Sequence, residues 1–204
     1  MTDVVETPPA AGAIVIDAST ATSGIDFEAF VRGGFSADAT SGGFPVFDNS
    51  ANFSGEEMLI AYGSTAASKY VLGHGDIAYN FGTHTVVGDI ETIEFGRLGA
   101  ATFDANGYLT GSNVELRITG LEFSNPVPSN PTEEAEIEAT GAVHNFAVAY
   151  MAGSSAPQAR LDLFGDQLDA YAQTFIGSAH DDTYVGTAFN DTIIGRGGND
   201  VLNG

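Results

Sequence analysis

Tyr79 and His84 are the residues of this chain whose types and spacing most clearly allow chemistry. Tyr79 stands near the end of a β-rich segment, and His84 follows five residues later in a short polar loop. A deprotonated phenol suits oxidised iron, including that of haem, and a neighbouring imidazole can accept the phenol's proton or hydrogen bond and increase its basicity. The pair is therefore a candidate site for ferric haem.

The strand that carries Tyr79 has an apolar face. Period-two alternation places Ile77, Tyr79 and Phe81 on the same side of this strand. A tyrosine in such a setting is most often a half-buried core residue, and a loop histidine such as His84 is most often exposed. The apolar neighbours would form a dry wall for a porphyrin equally well. The pattern alone leaves both interpretations open.

Three segments extend this observation beyond one pair of residues. They are GDIAY at 75–79, HTVVGDIETIEFG at 84–96 and GAVHNFAVAYMAG at 141–153. These segments resemble the HasA-type haemophores, secreted bacterial proteins that scavenge haem, and the similarity covers roughly residues 20–180. In that family a tyrosine at the end of this strand binds the iron and a later histidine holds the phenolate. The resemblance assigns these roles to Tyr79 and His84.

The resemblance also suggests further residues near the haem, and it includes one departure. Phe44 is a candidate for the other face of the porphyrin, with packing in the core as the alternative, as for Phe35, Phe47 and Phe53. His144 lies in the third segment, where it is either a core histidine or a residue beside the pocket. Many haemophores carry a second axial histidine on a long loop, but the corresponding residues 33–44 contain none. The resemblance then implies Tyr79 alone, a water molecule or an unidentified ligand.

The composition restricts the classes of partner. The chain has 204 residues, 43% of them hydrophobic, which is enough for a substantial core. It has no cysteine, which excludes disulfides and thiolate metal sites. Its net charge of −21 disfavours nucleic acid and anionic membranes, and simple solubility is the ordinary reason for such acidity. Because cations are scarce, haem recognition would depend on apolar contact and the iron bond.

The hydrophobic pattern predicts an α+β fold, an antiparallel twisted sheet with helices packed on one face. Short β-rich runs alternate with turn residues from about 44 to 123, with tight connections predicted at 73–75 and 106–107. Helices are predicted near 25–31, from about 132 to 151 and over 157–170. Residues 1–12 are predicted to be a flexible arm, and 13–175 the haemophore-like domain.

The last part of the chain contains a nine-residue period. Glycine begins and aspartate ends the three loops 177–182, 186–191 and 195–200. They resemble the RTX calcium-binding nonapeptide, in which aspartates and backbone carbonyls bind Ca²⁺, and the resemblance makes Asp191 and Asp200 candidate ligands. We expect residues 176–204 to be a short RTX-like segment of a chain that is a fragment of a longer protein. Calcium binding by this segment and a flexible tail that binds no ion are the two alternatives.

Two functions remain open from the sequence. The first is a secreted haemophore-like protein that captures ferric haem b through Tyr79 and passes it to an outer-membrane receptor. The second is a structural or adhesive module of a larger calcium-binding RTX exoprotein that has lost its ligand. The start of the chain lacks the pattern of a cleavable signal peptide, and no segment is long enough to span a membrane. The resemblance to RTX repeats implies an extracellular protein exported by type I secretion. No catalytic motif is present, and we expect no enzyme.

Overall fold

The computed structural model of the protein describes residues 11–40 and 42–204. The strands of these residues are β1 (Ala11–Asp17), β2 (Val46–Asn49), β3 (Ser54–Ala61), β4 (Lys69–Asn80), β5 (Thr85–Arg97), β6 (Thr102–Phe103), β7 (Leu109–Thr110), β8 (Asn113–Asn125), β9 (Tyr171–Ile176), β10 (Thr183–Val185), β11 (Thr192–Ile194) and β12 (Val201–Asn203). β1 begins at Ala11, within the arm predicted for residues 1–12. Residues 1–10 of that arm lie outside the described residues.

One large sheet contains eight of these strands, in the order β11-β9-β1-β8-β5-β4-β3-β2. The strands from β2 to β5 and β8 pair antiparallel, whereas β1 with β9 and β9 with β11 pair parallel. The short strands β6 and β7 pair across the predicted turn at 106–107. The predicted α+β fold is confirmed.

The helices are α1 (Phe27–Ala29), which continues as a wider helical turn over Phe30–Gly34, then α2 (Pro131–Thr140), α3 (Ala142–Met151) and α4 (Gln158–Leu168). Phe146, Tyr150 and Phe164 from α3 and α4 are completely buried with the sheet residues Phe95 and Ile118. Apolar burial of this extent is the main stabilising term of such a layer. None of the helices in the described ranges has the length and apolarity needed to cross a membrane.

The prediction of a single helix over 132–151 is wrong, because the helical conformation is interrupted at Gly141. Gly141 has an extended backbone, with φ −61° and ψ 124°. There the Asn125 side chain occupies the space that a Cβ would need and accepts hydrogen bonds from the amides of Val143 (2.6 Å) and His144 (3.2 Å). A side chain from the end of β8 thus satisfies the free amides at the start of α3.

The turn predicted at 73–75 is also wrong, because β4 runs straight through these residues. The β4–β5 register shifts between His74 and Ile77, as in a β-bulge. A Cβ on Gly75 would lie 2.0 Å from the Asp89 carbonyl oxygen, and one on Gly88 would lie 1.8 Å from that of Asp76. The two glycines are needed because the strands approach so closely here.

Candidate functional site

The β4–β5 hairpin places Tyr79 and His84 at its tip. β4 ends at Asn80 and β5 begins at Thr85, so four residues form the turn. The Asn80 side-chain oxygen accepts hydrogen bonds from the amides of Gly82 (2.8 Å) and Thr83 (3.3 Å), which folds the turn back on itself. His84 adopts the left-handed conformation, with φ 55°. Its side chain is thereby directed to the strand it has just left.

The two side chains form a hydrogen bond. The Tyr79 hydroxyl lies 2.8 Å from Nδ1 of His84. A neutral imidazole has one nitrogen that donates and one that accepts, so Nδ1 accepts from the phenol when the ring proton is on Nε2. Tyr79 is half-buried and His84 is exposed. The pair therefore combines a phenol whose proton is directed to a base with access from solvent.

Three phenylalanines and Tyr79 form a closed ring of edge-to-face contacts, here called the aromatic rim (Phe44, Phe53, Tyr79 and Phe81). The ring centroids of Tyr79 are 5.0 Å from Phe44 and 4.9 Å from Phe81, and Phe53 closes the ring at 5.7 Å from Phe44 and 4.9 Å from Phe81. The three phenylalanines are 45%, 37% and 58% exposed in chain order. Exposed aromatic clusters of this kind mark binding surfaces.

Phe44 and Phe81 are thus beside Tyr79, whereas two other predicted site residues lie deeper. Ile77 is fully buried in the core below the rim. The His144 side chain is buried in α3, where its Nδ1 accepts the amide proton of Val86 at 3.2 Å. Val86 is the residue paired with Tyr79 across the hairpin. His144 contacts the strand behind the site and supports it.

Burial acts on the chemistry of His144. Removal from water, with a smaller contribution from Arg160, lowers the pKa of this imidazole. The neutral form is also the one whose Nδ1 accepts the Val86 amide. His144 therefore takes part as a neutral hydrogen-bond acceptor.

Phe53 belongs to the rim although the sequence favoured core packing for it. Its carbonyl oxygen accepts the Tyr79 amide at 2.9 Å, and its backbone is left-handed with φ 51°. Both features bring its ring outward beside Tyr79. Phe35 and Phe47 do pack in the core, at 3% and 2% exposure. The bond between Phe53 and Tyr79 joins residues that are distant in sequence, and a single sequence does not carry that signal.

Four of the six lysine and arginine side chains form ion pairs with carboxylates outside the rim. Arg32 binds Glu28, Asp166 and Asp169. In the same way, other cations form ion pairs with nearby carboxylates: Lys69 with Asp38, Arg97 with Glu115, and Arg117 with Glu94. The rim itself contains aromatic rings and one phenol–imidazole pair. Its contacts favour a flat apolar molecule over an anion.

The predicted calcium ligands lie in the C-terminal loops. Asp191 accepts the Gln173 amide at 2.7 Å, and Asp200 accepts the Asp182 amide at 3.0 Å. β11 pairs with β9 and β10 with β12, so the loops follow directly from the large sheet. Over residues 11–40 and 42–204, three or more histidine, aspartate or glutamate side chains are nowhere grouped to hold a metal ion.

Comparison with solved structures identifies the fold. The apo form of the hemophore HasA from Yersinia pestis matches with a TM-score of 0.59 and 17% identity, over 76% of this chain and 89% of that one. The holo form of the same hemophore matches with a TM-score of 0.59, 18% identity and the same coverage. A HasA mutant monomer from Yersinia pseudotuberculosis matches with a TM-score of 0.56 and 19% identity, over 78% and 89%.

Sequence comparisons address the C-terminal segment. No curated protein matches the chain. Residues 176–204 match the model of the RTX calcium-binding nonapeptide repeat, described as four copies. The chain therefore has the fold of the HasA hemophores, and it ends in a segment similar to RTX repeats.

Proposed function

We propose that this protein binds ferric haem at the aromatic rim, with the Tyr79 phenolate as the iron ligand and His84 as its hydrogen-bond partner. The observation that carries the proposal is the 2.8 Å contact between the Tyr79 hydroxyl and His84 Nδ1 at an accessible hairpin tip. The shared fold with a hemophore that has a holo form supports it.

The residues at the tip fit such a ligand. Bound ferric iron would act as a Lewis acid that stabilises the phenolate form of Tyr79. His84 accepts the phenol's proton or its hydrogen bond and orients the oxygen, as partners of metal ligands commonly do. Phe44, Phe53 and Phe81 supply apolar surface that would pack against the porphyrin beside that oxygen.

The surroundings also define how the rest of haem would be recognised. The charged propionates would face solvent, because the basic side chains described above are paired with carboxylates elsewhere. Affinity would come from the aromatic contacts and the single protein–iron bond. A ligand held in this way at an exposed edge can be handed to another protein.

The biological setting belongs to the same proposal. A haem-binding protein with an RTX-like segment would act outside the cell, exported by type I secretion, and would deliver its haem to an outer-membrane receptor. The net charge of −21 argues against nucleic acid as a partner. Binding, with no catalytic step, is the activity that this site supports.

A haem titration followed by visible spectroscopy tests the proposal. The wild-type protein is expected to give a shifted Soret band that saturates at one haem per chain. Tyr79→Phe keeps the ring and removes only the hydroxyl, and it should abolish the shift characteristic of the phenolate complex. Tyr108→Phe is the matched control, since the Tyr108 hydroxyl contacts Glu56 away from the rim. An unshifted wild-type band, or identical bands in wild type and Tyr79→Phe, would refute haem ligation by Tyr79.

One observation favours the second candidate, a structural module of a calcium-binding RTX exoprotein. β11 extends the large sheet by pairing with β9, and Tyr184 stacks on Phe175 with centroids 4.3 Å apart. A domain joined so closely to the repeats can serve mainly as their support. Failure to bind haem in the same titration would favour this candidate.

A further inference from the structure

The three C-terminal loops resemble each other in sequence, but they differ in how their aspartates are held. Each loop leads into a three-residue strand, β10, β11 or β12. Strands two repeats apart pair parallel, as Tyr184 does with Leu202 and Phe175 with Ile193. Similarity to RTX repeats implies calcium, which takes six to eight oxygen ligands. The aspartate oxygens of the three loops therefore decide how well each loop fits that ion.

The first loop closes on itself. Asp182 is 1% exposed and accepts three hydrogen bonds, from the Ser178 amide (2.6 Å), the Ser178 hydroxyl (3.0 Å) and the Ile25 amide (2.7 Å). The same hydroxyl accepts the His180 amide proton at 3.0 Å. Both oxygens of a buried carboxylate thus have donors from the protein, as buried charged groups require.

The second loop repeats this arrangement atom for atom. Asp191 accepts the Thr187 amide (2.5 Å), the Thr187 hydroxyl (3.0 Å) and the Gln173 amide (2.7 Å). The Thr187 hydroxyl accepts the Phe189 amide proton at 3.2 Å. The bonds from the Ser178 and Thr187 amides and hydroxyls recur at the nine-residue period, so they are a property of the loop sequence. The third donor, Ile25 or Gln173, comes from outside the loop.

The third loop lacks this set of hydrogen bonds. Arg196 stands where Ser178 and Thr187 stand in the first two loops, and its backbone is left-handed with φ 69°. Among the hydrogen bonds of the described residues, Asp200 accepts only the Asp182 amide, at 3.0 Å. The first two loops therefore share a feature that the third has not kept.

The globular domain takes the place of a preceding repeat. Ile25 donates its amide to Asp182 and accepts the Thr183 amide proton at 2.8 Å, so residue 25 pairs with β10 from the side opposite β12. On the other ladder, β9 lies between β1 and β11. Both ladders of the repeat segment thus begin on strands or bridges of the domain.

We propose that the first two nonapeptide loops fold without calcium and cap the start of the roll, with the hydroxyls of Ser178 and Thr187 and backbone amides taking the role that the ion has in other repeats. Calcium at Asp182 or Asp191 would compete with the three hydrogen bonds that each carboxylate already accepts. Asp191 then stabilises the loop through its hydrogen bonds and is not a metal ligand. This inference is independent of haem binding.

Backbone hydrogen exchange on the full chain, in EDTA and in calcium chloride, tests the proposal. The probes are the amides of Gly177 and Thr183, which donate to Ile194 and Ile25 at 2.8 Å each. We expect equal protection of both amides in the two solutions. Exchange at the rate of an unfolded chain in EDTA, with protection only in calcium, would overturn the proposal.

Variants separate the hydroxyls from the rest of the loop. Ser178→Ala and Thr187→Val remove the hydroxyl and leave the amide, and each should lower Tm in EDTA by about 5 °C. Calcium should not restore it. Thr192→Val in exposed β11 is the control and should leave Tm unchanged. Recovery of the wild-type Tm by calcium in either loop variant would show that the ion can occupy the loop, and would contradict the proposal.

Discussion

The hairpin tip and the repeat loops each hold a side-chain oxygen beside a hydrogen-bonding partner that is close in sequence. The two regions differ in how many partners the oxygen has and in how exposed it is. At the tip, the Tyr79 hydroxyl has one partner, His84, and a surface of exposed rings around it. In the first repeat loop, Asp182 has three donors and almost no exposure. The comparison teaches that residue type suggests a ligand, whereas the number of hydrogen bonds already made decides whether the group is available to one.

The phenols of Tyr150 and Tyr79 show the same contrast within the domain. Tyr150 is fully buried, its hydroxyl donates to the Val31 carbonyl at 2.8 Å, and burial raises the pKa of its phenol well above the ordinary value. Such a phenol is fixed in its neutral form. Tyr79 has an imidazole where Tyr150 has a carbonyl, so Tyr79 has a base within hydrogen-bond distance and Tyr150 has none.

The largest expected effect is on stability, in the repeat segment. Asp182→Asn removes the charge that three donors stabilise and leaves an amide group facing the Ile25 or Ser178 amide. We expect the free energy of unfolding to fall by about 3 kcal/mol, measured by urea denaturation. Haem affinity should stay unchanged. Asp89→Asn, at an exposed residue, is the control. Equal stability of the two variants would show that the hydrogen bonds to Asp182 do not stabilise the repeat segment.

The next effect is on haem affinity, at the hairpin tip. His84→Gln removes the imidazole that partners Tyr79, and the affinity should fall by about 10- to 100-fold, as for other partners of metal ligands, while the unfolding free energy stays within about 0.5 kcal/mol. An affinity that is the same in wild type and in His84→Gln would show that the imidazole does not support the phenolate.

A smaller loss of affinity is expected from the rim. Phe81→Ser removes an exposed ring that contacts Tyr79 and Phe53, and it should weaken haem binding by about tenfold because apolar contact is lost. Tm should not fall, since the ring is 58% exposed. Phe103→Ser, at 55% exposure on the β6–β7 hairpin, is the matched control. Similar losses in both variants would indicate unspecific adsorption of haem.

The smallest effect concerns the histidine behind the site. Burial lowers the pKa of His144 in the folded state, so the folded protein binds fewer protons than the unfolded chain as the pH falls below about 6.5. Stability is therefore complete above that pH and decreases below it. His144→Asn keeps an acceptor for the Val86 amide. It should reduce the slope of the unfolding free energy against pH by an amount that corresponds to at most one proton. An identical slope in wild type and variant would contradict a neutral, buried His144.

The sequence predicts best what depends on neighbours along the chain. Tyr79 and His84 flank one short turn, so their proximity follows from the hairpin itself. The nine-residue period likewise predicts the three C-terminal loops, because glycine and aspartate recur with it. Fold class follows from alternating β-rich runs and amphipathic helices.

The remaining features depend on partners far along the chain. The break at Gly141 comes from Asn125, and the outward direction of Phe53 comes from its bond to Tyr79. The closure of the first repeat loop needs Ile25, which lies 157 positions before Asp182. No periodicity or composition signals these contacts, because they arise only once the sheet has formed.

The opposed glycines in β4 and β5 have a consequence for the fidelity of the site. Each admits the other strand's carbonyl at a distance where any side chain would collide, and sliding one strand by a residue would bring Asp76 or Asp89 into those gaps. Such a slip would also turn Tyr79 to the opposite face of the sheet. The two glycines thus permit a single alignment of the strands, and that alignment keeps the phenol on the side of the sheet where Phe44 and Phe53 lie.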